Sequence, residues 1–400
     1  MFPTYLLGIP RSVGLHYRVR MPPQQSWISR WFGVLGSPIE GKVLIGPNWF
    51  ASVMGTAIVA SAGATLPVAV PQFITTAAWT ISVVLLLALL VFMPLNWVQH
   101  PDNLRNLADD PIAIQFFGAP PMALMAVAAA TLLVGQQYIG EGLAVGIAWV
   151  LWSVGTALGF VTAVAVPFRL FTALEVRHDG AFGGWLMPVV PPMVSAAVGA
   201  LLVPHTPAGE ARETMLLGCY ALFGMSLMAS LVIITLIWSR LAHFGTSGSA
   251  RVPTLWMVLG PVGQSITAAG ALGTAAKDAV PAPLSTALDA FAVVFGVPMW
   301  GFMLLWLPLA AALTLRAHNR NMGFALTWWS FTFPVGTCVT GTSQLSAHTG
   351  LTLFTVVAVA LYILLLAAWV TVAVRTYRQS VTGALLTPPP VSPHAVARKG

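Results

Sequence analysis

Few residues in this chain are of a type and placement to do chemistry inside a membrane or a core. Ten of its eleven acids, Glu40, Asp102, Asp109, Asp110, Glu141, Glu175, Asp179, Glu210, Glu213 and Asp278, fall in tails or between apolar runs. Asp289 alone falls within a run, near its outer end. An intramembrane carboxylate is costly to bury and points to a proton or cation site, whereas an interfacial one caps a helix; the capping role is the simpler for Asp289. All eight histidines, His205 and His348 among them, sit at run edges, in loops or in tails. No His and Asp pair, no Ser with a His at its own depth and no acidic cluster is available, so acid-base, nucleophilic or metal chemistry would have to use loop residues. No catalytic residue, cofactor, metal or nucleic-acid partner is expected. Cys219 and Cys338 lie inside apolar runs and serve as small core hydrophobes rather than as a disulfide or zinc site.

Uncharged groups remain, and these suit anions. Backbone amides, helix ends exposed at kinks and hydroxyls can replace part of a hydration shell without fixed charge. Asn48, Ser52 and Thr56 recur every four residues, and Gln264 and Thr267 are three apart, so each set shares a helix face. Such hydroxyls are equally ordinary as packing between membrane helices. The most specific string is Trp328-Trp329-Ser330-Phe331-Thr332-Phe333-Pro334. Phe331 and Phe333 lie roughly 200° apart on a helix, so only one can face inward. Ser330, Thr337 and Thr340 share the face of Phe333, with Gly336 and Gly341 beside it. A large ring among small residues could obstruct a narrow path and swing aside, or could simply pack.

The elements that must carry these residues are membrane helices. Hydrophobic residues make up 57% of the 400 and charged ones 7%, against about a quarter charged in soluble domains. Apolar runs near 47–66, 73–97, 116–136, 142–166, 185–204, 214–238, 252–275, 284–315, 323–342 and 350–374 predict ten spans of an all-α integral membrane protein. Sixteen of the eighteen Lys and Arg fall on alternate gaps, only Arg212 and Lys277 on the others, which places both termini in the cytoplasm. No secretory signal peptide precedes the first span.

Spans starting at 47, 116, 185, 252 and 323 imply five helical hairpins of similar size. The first helix of each hairpin carries the breakers: Gly55; Pro120 and Pro121; Pro188, Pro191 and Pro192; Gly260, Pro261 and Gly263; Pro334. A broken helix is tolerated at membrane depth only where protein or water covers it, so the odd helices should face inward and line a central pore while the even ones form an outer ring. The eighth span, with Pro298 and Pro308, departs from this pattern. Residues 1–46 form a basic cytoplasmic extension, either lying on an anionic leaflet through residues such as Arg18 and Arg20 or disordered. Residues 47–375 form the membrane domain, and 376–400 a Pro-rich cytoplasmic tail.

The ninth-span string resembles the tellurite-resistance/dicarboxylate transporter family, which includes slow anion channels of plant guard cells, malate permeases and sulfite exporters. Met54-Gly55-Thr56-Ala57-Ile58, Pro120-Pro121-Met122-Ala123-Leu124 and Gly260-Pro261-Val262-Gly263-Gln264-Ser265 resemble the family's first, third and seventh helices. The resemblance implies ten helices in five hairpins, a pore within each subunit, a homotrimer in the plasma membrane, and Phe333 as the plug. It implies permeation of small inorganic or carboxylate anions, by a channel or by a proton-coupled carrier of sulfite, malate or tellurite. Pore-lining candidates are Ser52, Gly55, Thr56, Pro120, Pro188, Pro191, Gly260, Gly263, Gln264, Thr267, Ser330, Pro334, Thr337 and Thr340. Ala57 and the stretch 336–341 depart from the family pattern, so the substrate of any one relative is not transferred. A membrane enzyme or structural protein with a lipid-binding basic tail is the remaining class.

Overall fold

The computed structural model describes residues 45–246, 248–320, 322–382 and 385; the expected N-terminal extension and most of the C-terminal tail lie outside the described residues. Within them, ten α-helices have twelve residues or more: α1 (Phe50–Thr65), α2 (Gln72–Gln99), α3 (Ala119–Ala130), α4 (Glu141–Thr172), α5 (Pro191–Leu202), α6 (Glu210–Phe244), α7 (Leu259–Ala279), α8 (Leu284–His318), α9 (Phe333–Thr349) and α10 (Thr352–Val381). Seven helical stretches are long and apolar enough to cross a bilayer: the four long helices α2, α4, α6 and α8, the terminal α10, and α3 and α7 extended to Ala113–Ile139 and Arg251–Ala279. The protein is an all-helical integral membrane protein.

Helices α1, α5 and α9 fall short of that length, and the reason lies in how the odd helices begin. Each follows a 3-10 stretch: Pro47–Trp49, Ala113–Gly118, Gly183–Leu186, Ser249–Val258 and Leu326–Phe331. The expectation that these prolines break the odd helices is corrected accordingly. Pro120, Pro191 and Pro334 stand in the first two positions of α3, α5 and α9, where a missing N–H costs no intrahelical bond and the fixed φ favours helix. A 3-10 turn rises about 2 Å per residue against about 1.5 Å in an α-helix, so each lead-in adds reach that a count of α-helical residues omits.

Burial divides the helices sharply. Of α1, thirteen of sixteen residues are buried, and of α5 eleven of twelve, whereas α2 buries six of 28 and α10 six of 30. The contacts explain this. Helix α1 packs on α3, α3 on α5, α5 on α7, α7 on α9, and α9 returns to α1; every even helix packs on the odd helix before it in sequence. Between apolar helices in lipid there is little hydrophobic drive, so close backbone approach supplies the cohesion. A Cβ on Gly263 would lie 2.5 Å from Cys338 N and Thr337 C, so glycine alone lets α7 meet α9 there. Gly350, at φ 69°, closes the turn from α9 into α10 in the left-handed region that glycine tolerates.

Candidate functional site

The N-terminal ends of the five odd helices surround one small cavity. Ala51 and Met54 come from α1, Phe116 and Met122 from α3 and its lead-in, Met187 and Val190 from the approach to α5, Met257, Gly260 and Pro261 from α7, and Trp329, Ser330, Phe333 and Pro334 from α9. No ionisable side chain lines it among the described residues. The dipoles of the five helices all point their positive ends to this side, a bias toward anions although no side chain in the wall is cationic.

Phe333, the first residue of α9, is 4% exposed and forms part of this wall. Phe331 turns the other way and meets Trp256 and Trp328 edge-on, with centroids 5.3 and 5.6 Å apart. Beyond Phe333 the same face of α9 continues with Thr337, Thr340, Gln344 and His348, opposite Gln264, Thr267 and Thr274 of α7. Thr267 Oγ1 and Thr340 Oγ1 are 2.7 Å apart, and Thr274 Oγ1 is 3.5 Å from His348 Nε2. Gln264 is 5% exposed, and its Oε1 is buried without a partner among the described residues. This polar seam runs from the cavity toward the far end of α7 and α9, where Lys277 Nζ lies 3.1 Å and His348 Nε2 3.4 Å from Asp289 Oδ1. Asp289 is therefore in an ion pair and does not cap α8, whose N-terminus has no side-chain cap.

The candidates named from sequence separate into three groups. Gly260, Ser330, Phe333 and Pro334 reach the cavity, and Gln264, Thr267, Thr337 and Thr340 form the seam. Others serve packing. Gly55 faces Thr332 and Trp329, Thr56 Oγ1 donates to Ser52 O and accepts from Trp369 Nε1 of α10, and Ser52 Oγ donates to Trp49 O. Pro191 faces Gly159 of α4, and Pro188 faces Gly118; Pro120 is half-buried outside the cavity wall. The hydroxyls of Ser330 and Thr337 are also spent on carbonyls, of Pro253 at 2.6 Å and Pro334 at 2.7 Å. A hydroxyl that donates to a carbonyl presents lone pairs, not a proton, to a passing anion. Sequence reasoning did not single out Met54, Met122, Met187 and Met257 as site residues, although each stands within three residues of a breaker, because a methionine in an apolar run carries no polar signal.

Buried odd helices, exposed apolar even helices and an uncharged cavity where five helix starts meet define a polytopic membrane protein of the transport class. The voltage-dependent anion channel family, SLAC1, matches residues 45–377, and the chain belongs to that family. Its relatives carry transport names. The sulfite efflux pump SSU1 of Trichophyton rubrum is 28% identical over 346 residues, 84% of this chain and 91% of the relative. An uncharacterized transporter of Methanocaldococcus jannaschii, MJ0762, is 26% identical over 342 residues, 84% and 95% of the two chains. The malic acid transport protein of Schizosaccharomyces pombe is 24% identical over 196 residues, 46% and 44%. The family and these relatives are channels and transporters, not enzymes.

Proposed function

We propose that the chain conducts small inorganic or carboxylate anions, such as sulfite or malate, along a path enclosed by α1, α3, α5, α7 and α9 and closed by Phe333. In this reading all ten helices span the plasma membrane as five hairpins, with the even helices outside, both termini cytoplasmic, and the subunits associated as homotrimers. Residues 1–46 and 376–400 are then cytoplasmic extensions of the domain at 47–375. The observation that carries the reading is the meeting of five helix N-termini around a cavity without ionisable groups, with Phe333 in its wall. The lead-ins support spanning by the short helices: Pro47–Trp49 with α1 covers about 30 Å, the thickness of the hydrocarbon layer. The distribution of Lys and Arg supports the orientation.

Sulfite, nitrate, chloride, malate and tellurite compared in one liposome flux assay test the reading. Flux of at least one, increased by Phe333→Ala, is expected; vesicles as tight to all five as protein-free ones would refute it. The second reading, a proton-coupled carrier, is favoured by one observation, the Lys277–Asp289–His348 cluster at the end of the polar seam. It requires flux to follow an imposed pH gradient and to lose that response in Asp289→Asn. Flux indifferent to the gradient leaves the passive pathway alone.

A further inference from the structure

The charged residues at the end of α6 have no part in the pathway described above. The loop after α4 brings Asp179 against them: its carbonyl accepts a hydrogen bond from Arg240 Nε at 3.1 Å, and its carboxylate oxygen Oδ1 accepts one from Arg177 Nε at 2.9 Å. That bond to Arg177, reinforced by the charges of Arg177 and Arg240, holds the Asp179 carboxyl below its ordinary range, so it is ionised at neutral pH. Arg251, in the lead-in to α7, lies over the Phe182 ring at 5.7 Å and acts electrostatically on Arg240. Arg177 on the Asp179 carboxylate, Arg240 on its carbonyl and Arg251 within electrostatic reach of Arg240 thus stand with one carboxylate among them, a formal surplus of two positive charges.

Arg240 is the group that requires explanation. It is 7% exposed, and a buried cation is costly unless it is paired. Of its five N–H donors, Nε is used on a neutral carbonyl, and the fork formed by Nη1 and Nη2, which makes no hydrogen bond to the described residues, is not closed off from the exterior. A planar fork of this kind fits the oxygens of a phosphate two at a time. The surroundings point to the membrane as the source. Phe168 and Phe171 at the end of α4 are 64% and 78% exposed, and Trp238 and Phe244 at the end of α6 are 47% and 57% exposed. Exposed rings at a helix end sit where headgroups meet acyl chains.

We propose that Arg240 and Arg251, with Arg177 at the rim, bind a phosphate group, supplied by an anionic phospholipid of the adjacent leaflet. Binding at this site is read as retained lipid, so its test needs no flux and its failure is distinguishable from failure of the proposed pathway. Full-length protein is reconstituted in phosphatidylcholine containing phosphatidylglycerol, extracted in mild detergent, and its retained lipids are counted by native mass spectrometry. Wild type should retain phosphatidylglycerol over phosphatidylcholine, and Arg251→Gln should cut that retention by about tenfold, the loss of one charge-assisted pair. The Arg251 side chain makes no hydrogen bond among the described residues, and its backbone bonds to Gly248 and Thr254 are kept by the substitution, so this variant stays folded if Arg240→Gln does not. Asp179→Asn, which removes the competing carboxylate, should raise retention. A parallel arm adds inorganic phosphate to protein in pure phosphatidylcholine: phosphate bound there by wild type and not by Arg251→Gln would keep the site and reassign its source to solution. Equal lipid retention by wild type and Arg251→Gln, with no phosphate bound in the second arm, would overturn the proposal.

Discussion

At the scale of single residues, Phe333 is set apart by what stands on either side of it. The ring lines the cavity and is also packed into the main hydrophobic core, while Thr337, Thr340 and Gln344 continue along its helix face, and the proposed gating role places it at the junction of the two. Replacing it by Ala removes an obstruction without removing any hydrogen bond. A gate held shut by one or two kcal/mol then predicts flux higher by about tenfold in Phe333→Ala, measured in liposomes at matched protein content; flux equal to wild type would take the ring out of gating. Thr267 makes the opposite case. Its hydroxyl is shared among Gly263 O, Thr337 O and Thr340 Oγ1. Thr267→Val should therefore lower thermal stability, by about 1 kcal/mol of lost hydrogen bonding, before it changes which anion passes.

At the scale of elements, the prolines and glycines set where α-helix begins and how near two helices come. Pro334 at the start of α9 sacrifices no intrahelical bond, so Pro334→Ala should not bring the roughly 3 kcal/mol gain expected on removing an interior helix proline and should lower stability by no more than about 1 kcal/mol, read as the melting temperature. Gly263→Ala must push the α9 backbone away and should cost about 1 to 3 kcal/mol, read as a lowered melting temperature. Membrane character, the all-helical class and the family were legible in the sequence, because apolar run length and four ordered motifs do not depend on tertiary detail. Breaker positions were legible too, but not their effect: Pro120 and Pro191 looked like mid-span kinks, since a 3-10 lead-in is as apolar as the helix it precedes. The site was legible only along one helix at a time. Phe333 and Thr340 stand in a local string, whereas the bond from Thr267 to Thr340 spans 73 residues and the Lys277–Asp289 pair joins two helices. The vestibule methionines come together only when four separate helix starts converge.

At the scale of the molecule, the cycle of contacts from α1 through α3, α5, α7 and α9 back to α1 is completed within one chain. No second subunit is needed to enclose the space between these helices, and the cavity wall draws on all five of them. Conduction through that space therefore makes each subunit an independent pathway, whatever the number associated. Subunits carrying Phe333→Ala, mixed with wild type before reconstitution, should yield flux that rises in proportion to the mutant fraction. A path shared between subunits behaves otherwise: one open subunit would unblock it, or one closed subunit would block it, and flux would bend upward or downward with composition. A curved dependence, with crosslinking showing that the two kinds of subunit do mix, would move the pathway from inside the chain to an interface between chains. A straight line together with the same crosslinks would leave association to a role other than enclosing the pore.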